Sequence, residues 1–136
     1  MKTFDVQSIE IQTDFHRAFT YIADAKTLPE WTHAFNEVSD GTAVMATPQG
    51  SVPIRLAVNS SSRHGTIDWI MDFPDGSRAT AFSRLIEAGK NRCIYTFTLM
   101  PPPVPLEQLE GALEQQAKTL QEELACLANI LSEQNG

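Results

Sequence analysis

Apolar residues alternate with polar ones at the start of the chain and again, repeatedly, from Glu37 to Met100, whereas the final segment repeats leucine with helical spacing. The first alternating run predicts a strand over about Phe4 to Gln12. Its apolar phase moves from Phe4 and Val6 to Ile9 and Ile11, which predicts a bulge or bend near Ser8. DFHRAFTYIA follows, with Thr13 or Asp14 placed to cap a helix whose Phe15, Ala18, Phe19 and Ile22 share one stripe. A second short helix is predicted in TLPEWTHAF. Thr27 is its expected cap, Pro29 stands in the first turn where a missing N–H is harmless, and Leu28, Trp31 and Phe35 share a side. The next stretch predicts about five strands. They are punctuated by Asp40-Gly41, Pro48-Gln49-Gly50, Ser60-Ser61-Ser62, Asp75-Gly76 and Gly89-Lys90-Asn91. PPPVP at 101–105 ends the sheet, and one long helix begins near Pro105. Leu106, Leu113, Leu120 and Leu127, with Ala117, Leu124 and Leu131 alongside, form a stripe suited to packing on a sheet, while Gly111 loosens this helix or permits a close approach.

This order of elements predicts an α+β fold, a curved antiparallel sheet with its helices segregated and the long helix covering one face, as a single domain over residues 1–136. Turn positions then set which side chains share a face. A two-residue turn at Asp75-Gly76 places Met71 opposite Thr80, Trp69 opposite Phe82 and Ile67 opposite Arg84. A turn at Ser61-Ser62 places Leu56 opposite Ile67, Ile54 opposite Trp69 and Arg55 opposite Asp68. A turn at Gly89-Lys90 places Phe82 opposite Phe97 and Arg84 opposite Tyr95. Together they predict one apolar wall of Ile54, Leu56, Val58, Ile67, Trp69, Met71, Phe82, Tyr95, Phe97 and Leu99, with Asp68, Asp72, Thr96 and Thr98 on the solvated face. On this reading Arg78 is a rim residue and Arg84 lies inside beside Tyr95. A guanidinium there needs an acid, a carbonyl, water or a ligand.

Composition narrows the function. The chain has 136 residues, 42% hydrophobic and 20% charged, which is globular in character. The net charge is −7, and the last segment sets Glu107, Glu110, Glu114, Glu122, Glu123 and Glu133 against Lys118, an expected solvated helix face. No basic footprint for nucleic acid is visible. No apolar run approaches the roughly 18 residues of a membrane span, and MKTFDVQSIEIQ does not read as a signal peptide, so a cytoplasmic location is expected. Cys93 and Cys126 lack metal or redox spacing and are expected as reduced thiols. His16, His33 and His64 share no metal spacing, and no P-loop, GxGxxG or GxSxG motif occurs; no cofactor or metal is expected. Asp68 and Asp72 face away from the wall, which disfavours a general-base role.

The run SIEIQTDFHRAFTYIADAKTLPEW resembles the opening of the polyketide cyclase/START-like (SRPBCC) superfamily, in which a strand leads into two short helices ending in a Leu-Pro-x-Trp segment. GTIDWIM, DGS and YTFTL, then prolines and a long amphipathic helix, are similar to the remainder, so the resemblance spans essentially the whole chain. It implies a helix-grip fold, a curved sheet wrapped around the C-terminal helix, often with a cavity between them. It carries over no catalytic residue. The expected function is binding of a small hydrophobic or aromatic ligand, lipid-like or polyketide-like, by Trp31, Phe35, Ile54, Leu56, Trp69, Met71, Phe82, Arg84, Tyr95 and Phe97. One alternative is a cyclase or dehydratase using His33, Arg84 or Tyr95 as an acid or base. The other is a protein-interaction module working through the acidic helix or a sheet edge, and a homodimer is compatible with either.

Overall fold

The computed structural model describes residues 4–47, 50–100 and 106–135. Strand β1 (Asp5–Ile11) leads through α1 (Phe15–Ala23), a 3-10 turn (Ala25–Thr27) and α2 (Leu28–Trp31) into the sheet. There follow β2 (Phe35–Ser39), β3 (Thr42–Thr47), β4 (Gly50–Ser61), β5 (Thr66–Asp72), β6 (Arg78–Gly89) and β7 (Arg92–Leu99), and then α3 (Leu106–Asn135). The strands form one curved antiparallel sheet in the order β1-β7-β6-β5-β4-β3-β2, with α3 packed into its concave side. This is the predicted α+β helix-grip layout, with one strand more than the alternation indicated. The predicted turn at 48–49 and the proline run at 101–105 lie outside the described residues.

Local chemistry explains the early elements. Asp14 caps α1, its Oδ1 accepting from the Arg17 N–H at 2.8 Å. Thr27 does not cap α2. Its hydroxyl donates back to the Tyr21 and Asp24 carbonyls, at 2.9 Å each. The second helix also stops early, because Thr32 is already extended (φ −107°, ψ 156°). Phe35 is therefore a strand residue, the first of β2. No bulge forms at Ser8: β1 pairs with β7 without a slip from Asp5↔Leu99 to Ile11↔Cys93. The change of apolar phase instead reflects two faces, since Phe4 and Val6 lie exposed outside while Ile11 is buried within.

The hairpins differ from the expected registers in one systematic way. The β5–β6 connection is wider than Asp75-Gly76 alone: the Phe73 N–H donates to Ser77 O at 2.9 Å, and the strands close on Asp72↔Arg78. Trp69 therefore faces Ala81 instead of Phe82, and Ile67 faces Ser83 instead of Arg84. At the far end, Lys90 and Asn91 make the turn with Asn91 at φ 59°, and a register shift falls between Glu87 and Gly89. Leu85, in place of Arg84, then opposes Tyr95. β6 is consequently turned over relative to expectation, while β5 and β7 keep theirs. In β4 the face is as predicted but the strand runs on through Ser61, so Leu56 opposes Met71, Val58 opposes Trp69, and Arg55 opposes Asp72 instead of Asp68.

The core joins the concave face to α3. Ile11, Ile54, Leu56, Ile67, Trp69, Leu85 and Tyr95 pack with Leu120, Leu124, Leu127 and Leu131 of the helix stripe. Each fully buried aliphatic side chain contributes about 1.5–3 kcal/mol from removal of apolar surface. Helices α1 and α2 close one end of the sheet, α1 against β6 and β7 and α2 against β2 and α3. Gly111 makes no close approach; a Cβ there meets nothing within 4 Å. On the convex face Phe4, Val6, Phe82, Ile86 and Met100 are exposed. The charges there are surface pairs, Arg78 with Asp72 at 2.7 Å and Arg92 with Glu10 at 2.8 Å, whose attraction is largely screened by solvent.

Candidate functional site

The concave face gathers Trp69 and Met71 of β5, Ile54 and Leu56 of β4, and Tyr95 and Phe97 of β7, with Trp31 of α2 and the half-buried Phe35 of β2 packed on the same core. The two remaining expected residues are elsewhere. Phe82 is 43% exposed on the convex face. Arg84 is exposed beside it, its Nε donating to His64 O at 3.2 Å. Arg84 thus solves its solvation problem by facing water. The row that replaces them inside is Ala79, Ala81, Ser83 and Leu85, which sequence reasoning missed.

Small side chains on β6 leave room for the large ones beside it. The rings of Trp69 and Phe97, on the strands flanking β6, stack with centroids 5.9 Å apart and planes at 27°. Trp31 meets Trp69 edge-on at 6.4 Å, and Tyr95 meets Phe97 edge-on at 6.4 Å. A continuous aromatic run, Trp31–Trp69–Phe97–Tyr95, therefore crosses the interior. Burial along the sheet is graded. Ile67, Leu85, Cys93 and Tyr95 are sealed at the α1 end, whereas Phe73, Ala79, Ala81, Phe97 and Leu99 remain half-exposed toward the β5–β6 turn.

This run is polar in a particular way. Trp31 and Trp69 are each 3% exposed and Tyr95 is 0% exposed, yet Trp31 Nε1, Trp69 Nε1 and Tyr95 Oη have no hydrogen-bond partner among the described residues. Buried N–H and O–H groups are ordinarily paired, and leaving one unpaired costs about 1–3 kcal/mol. Burial pushes the Tyr95 phenol far above the ordinary tyrosine value, and the Ser83 hydroxyl beside it draws it partly back. Tyr95 thus has a polar neighbour, though not one in hydrogen-bonding geometry, and the two indoles are the groups of this run left with none. The Ser83 proton itself goes to Ile67 O at 2.6 Å.

Glu123 of α3, expected on the solvated face, is 9% exposed. Its Oε2 accepts from the His33 N–H at 2.6 Å, fastening α3 to the α2–β2 junction, and Gln7 Nε2 donates to Ala117 O at 2.7 Å to fasten α3 to β1. Burial raises the Glu123 carboxyl above its ordinary 4.5, opposed by the His33 and Ala34 N–H groups and by His33, and assisted by Glu122. A group raised in this way contributes stability in full below its unfolded value and loses it as pH rises through the folded value. Thermal melts at pH 4 and pH 8 are expected to show the wild type losing more stability than Glu123→Gln across that interval. Equal losses would place the carboxyl in an ordinary solvated setting.

The surface of the described residues carries two depressions of note. One of about 700 Å³ is lined by Glu37, Val44, Pro53, Arg55, Asp72 and Phe73, and one of about 540 Å³ lies between β1 and α3 at Gln7, Ala117 and Lys118. Neither is lined by a residue of the aromatic run, but the first reaches Ala43 and Ile54 of the core. The expected acid–base set is not assembled: His33 is exposed, Arg84 faces outward and Tyr95 is buried. Cys93 and Cys126 are both free thiols. Among the described residues there is no cluster of metal-binding side chains and no helix long and apolar enough to cross a membrane.

No family model and no curated protein matches the sequence. Solved structures do match in fold. A START superfamily protein from Mycobacterium smegmatis is similar at a TM-score of 0.69 and 11% identity, covering 97% of this chain and 99% of that one. The Zhui aromatase/cyclase from Streptomyces sp. R1128 gives 0.65 at 8% identity, over 97% and 92% of the two chains. Truncated norcoclaurine synthase from Thalictrum flavum gives 0.63 at 13% identity, over 93% and 91%.

Proposed function

We propose that this chain, which has the START/polyketide-cyclase-like fold, binds a small hydrophobic or aromatic molecule on the concave face of its sheet beneath α3. The observation that carries this reading is the run Trp31–Trp69–Phe97–Tyr95, apolar in body and holding unpaired polar atoms in the interior. A folded protein pairs such atoms unless something else fills that role. The half-exposed end of the face, at Ala79, Ala81, Phe97 and Leu99, is the entry route, and the ligand takes its place by displacing the rings that now close over β6. The similar solved structures include an aromatase/cyclase and norcoclaurine synthase, names consistent with aromatic chemistry in this fold. Fold alone does not transfer their activities.

The test is titration with N-phenyl-1-naphthylamine, an uncharged fluorescent aromatic. Saturable one-to-one binding is expected, with a melting temperature that climbs as probe concentration rises above Kd. Absence of saturable binding up to the solubility limit would overturn the reading. A second reading, a protein-contact surface, is favoured by the exposed Phe4, Val6, Phe82, Ile86 and Met100 of the convex face. It predicts concentration-dependent association in light scattering that Phe82→Ser weakens and the probe leaves untouched.

A further inference from the structure

The pattern of unpaired groups specifies the ligand more narrowly than hydrophobicity does, given that the interior is the binding site. We infer that the ligand is an uncharged planar molecule bearing a carbonyl-type oxygen, and that the indole N–H groups of Trp31 and Trp69 select it by donating to that oxygen.

Three observations carry this. An indole N–H only donates, so a partner for Trp31 Nε1 or Trp69 Nε1 has to be an acceptor. Both indoles are buried, and both are without an acceptor among the described residues. Tyr95 Oη, at the other end of the run, has a proton to give as well, with burial holding the phenol in its protonated form. The interior therefore offers donors to a guest. For a guest's own donors the described interior has the Tyr95 and Thr13 hydroxyls, which accept as well as donate, so the selection rests on the two indoles, which only donate.

Charge supplies the second constraint. Every described lysine and arginine is exposed except Arg17 of α1, which is half-buried. None of them belongs to the core that contains the aromatic run. A carboxylate or phosphate placed there would lose its hydration with no cation to replace it. The Glu123 carboxyl, the buried acid that meets the α2–β2 junction, is already engaged by the His33 N–H. Shape is the third constraint. The Trp69 and Phe97 rings stack at 27° to one another beside the small row of β6, a packing that a flat guest displacing one ring would preserve.

The test compares three probes of one shape on the full chain by calorimetry: 2-acetonaphthone, 2-ethylnaphthalene and 2-naphthoate. The ketone is expected to bind about tenfold more tightly than the hydrocarbon, as one net hydrogen bond to a buried donor allows. The carboxylate is expected to bind more weakly than either. Trp69→Phe and Trp31→Phe keep an aromatic ring and remove the donor. At least one of them is expected to bring the ketone to the affinity that the hydrocarbon shows in the same variant, so that the ratio between the two probes, and not either affinity alone, reports the lost donor. The probe series in the wild type stands without the variants if either fails to fold. Equal binding of ketone and hydrocarbon, or tightest binding of the carboxylate, overturns the inference and leaves the hydrophobic site intact. Failure of all three probes to bind overturns the site itself.

Discussion

Gly65→Ala is expected to destabilise this fold by about 3–5 kcal/mol, a loss set by backbone strain and a backbone clash together. Gly65 ends the turn that joins β4 to β5. Its φ of +74° belongs to the left-handed region, and a Cβ there would lie inside van der Waals contact of the Leu85 carbonyl oxygen. That oxygen belongs to β6 backbone and has no flexible end to swing aside. The same contact holds Leu85 N–H on Gly65 O at 2.7 Å, so the turn is docked directly onto β6. Chemical denaturation reads the effect, and Gly76→Ala serves as the comparison. Gly76 has a similar φ of +91° but open space around it, so it isolates the conformational part of the cost. A Gly65→Ala loss no larger than that of Gly76→Ala would mean the docked turn is readily displaced.

The second large effect separates the two faces of β6. Leu85→Ala is expected to cost about 2–5 kcal/mol, because it opens a cavity at a site 1% exposed between Tyr95 and the rest of the core. Phe82→Ala removes a larger side chain, yet it is expected to change stability by under about 1 kcal/mol, because that ring is already solvated. Urea midpoints for the two variants decide the matter. A costly Phe82→Ala with a mild Leu85→Ala would restore the face that the two-residue turn at Asp75-Gly76 predicts. Burying Arg84 would then have to be accounted for as well.

That comparison also locates what was legible in the sequence. Alternation in β4, β5 and β7 put Ile54, Leu56, Trp69, Met71, Tyr95 and Phe97 on one face, and the heptad-like leucines identified the helix that covers it. The phase of β6 failed because its two ends were misjudged by one residue each. The wider turn at 73–77 shifts one side, and the irregularity between Glu87 and Gly89 shifts the other. Since side chains alternate, two single-residue errors invert the strand between them and cancel beyond it. β7 was therefore assigned correctly for reasons that do not extend to its neighbour. A usable signal was present: Arg78 and Arg84 share a phase with Phe82, while the other phase holds small residues and a leucine. The cost of burying two guanidinium groups outweighs the gain from one phenylalanine. Glu123 offered no such signal, because its burial arises from the α2–β2 junction folding onto α3, a tertiary contact with no periodic trace.

The place of β1 at the sheet edge, hydrogen-bonded to β7, bears on how the chain acquires its structure during synthesis. Once synthesised, β1 must wait for its partner, since Asp5 pairs with Leu99 and Ile11 with Cys93. At ordinary elongation rates that interval is roughly 5–20 s, against microseconds for a hairpin to form. β4 to β7 connect through short turns and can assemble meanwhile as a meander of local contacts. β1 and α3, which are fastened to each other by Gln7, then arrive as the closing step. Until they do, Val6, Ile9 and Ile11 remain an apolar strand without its β7 partner.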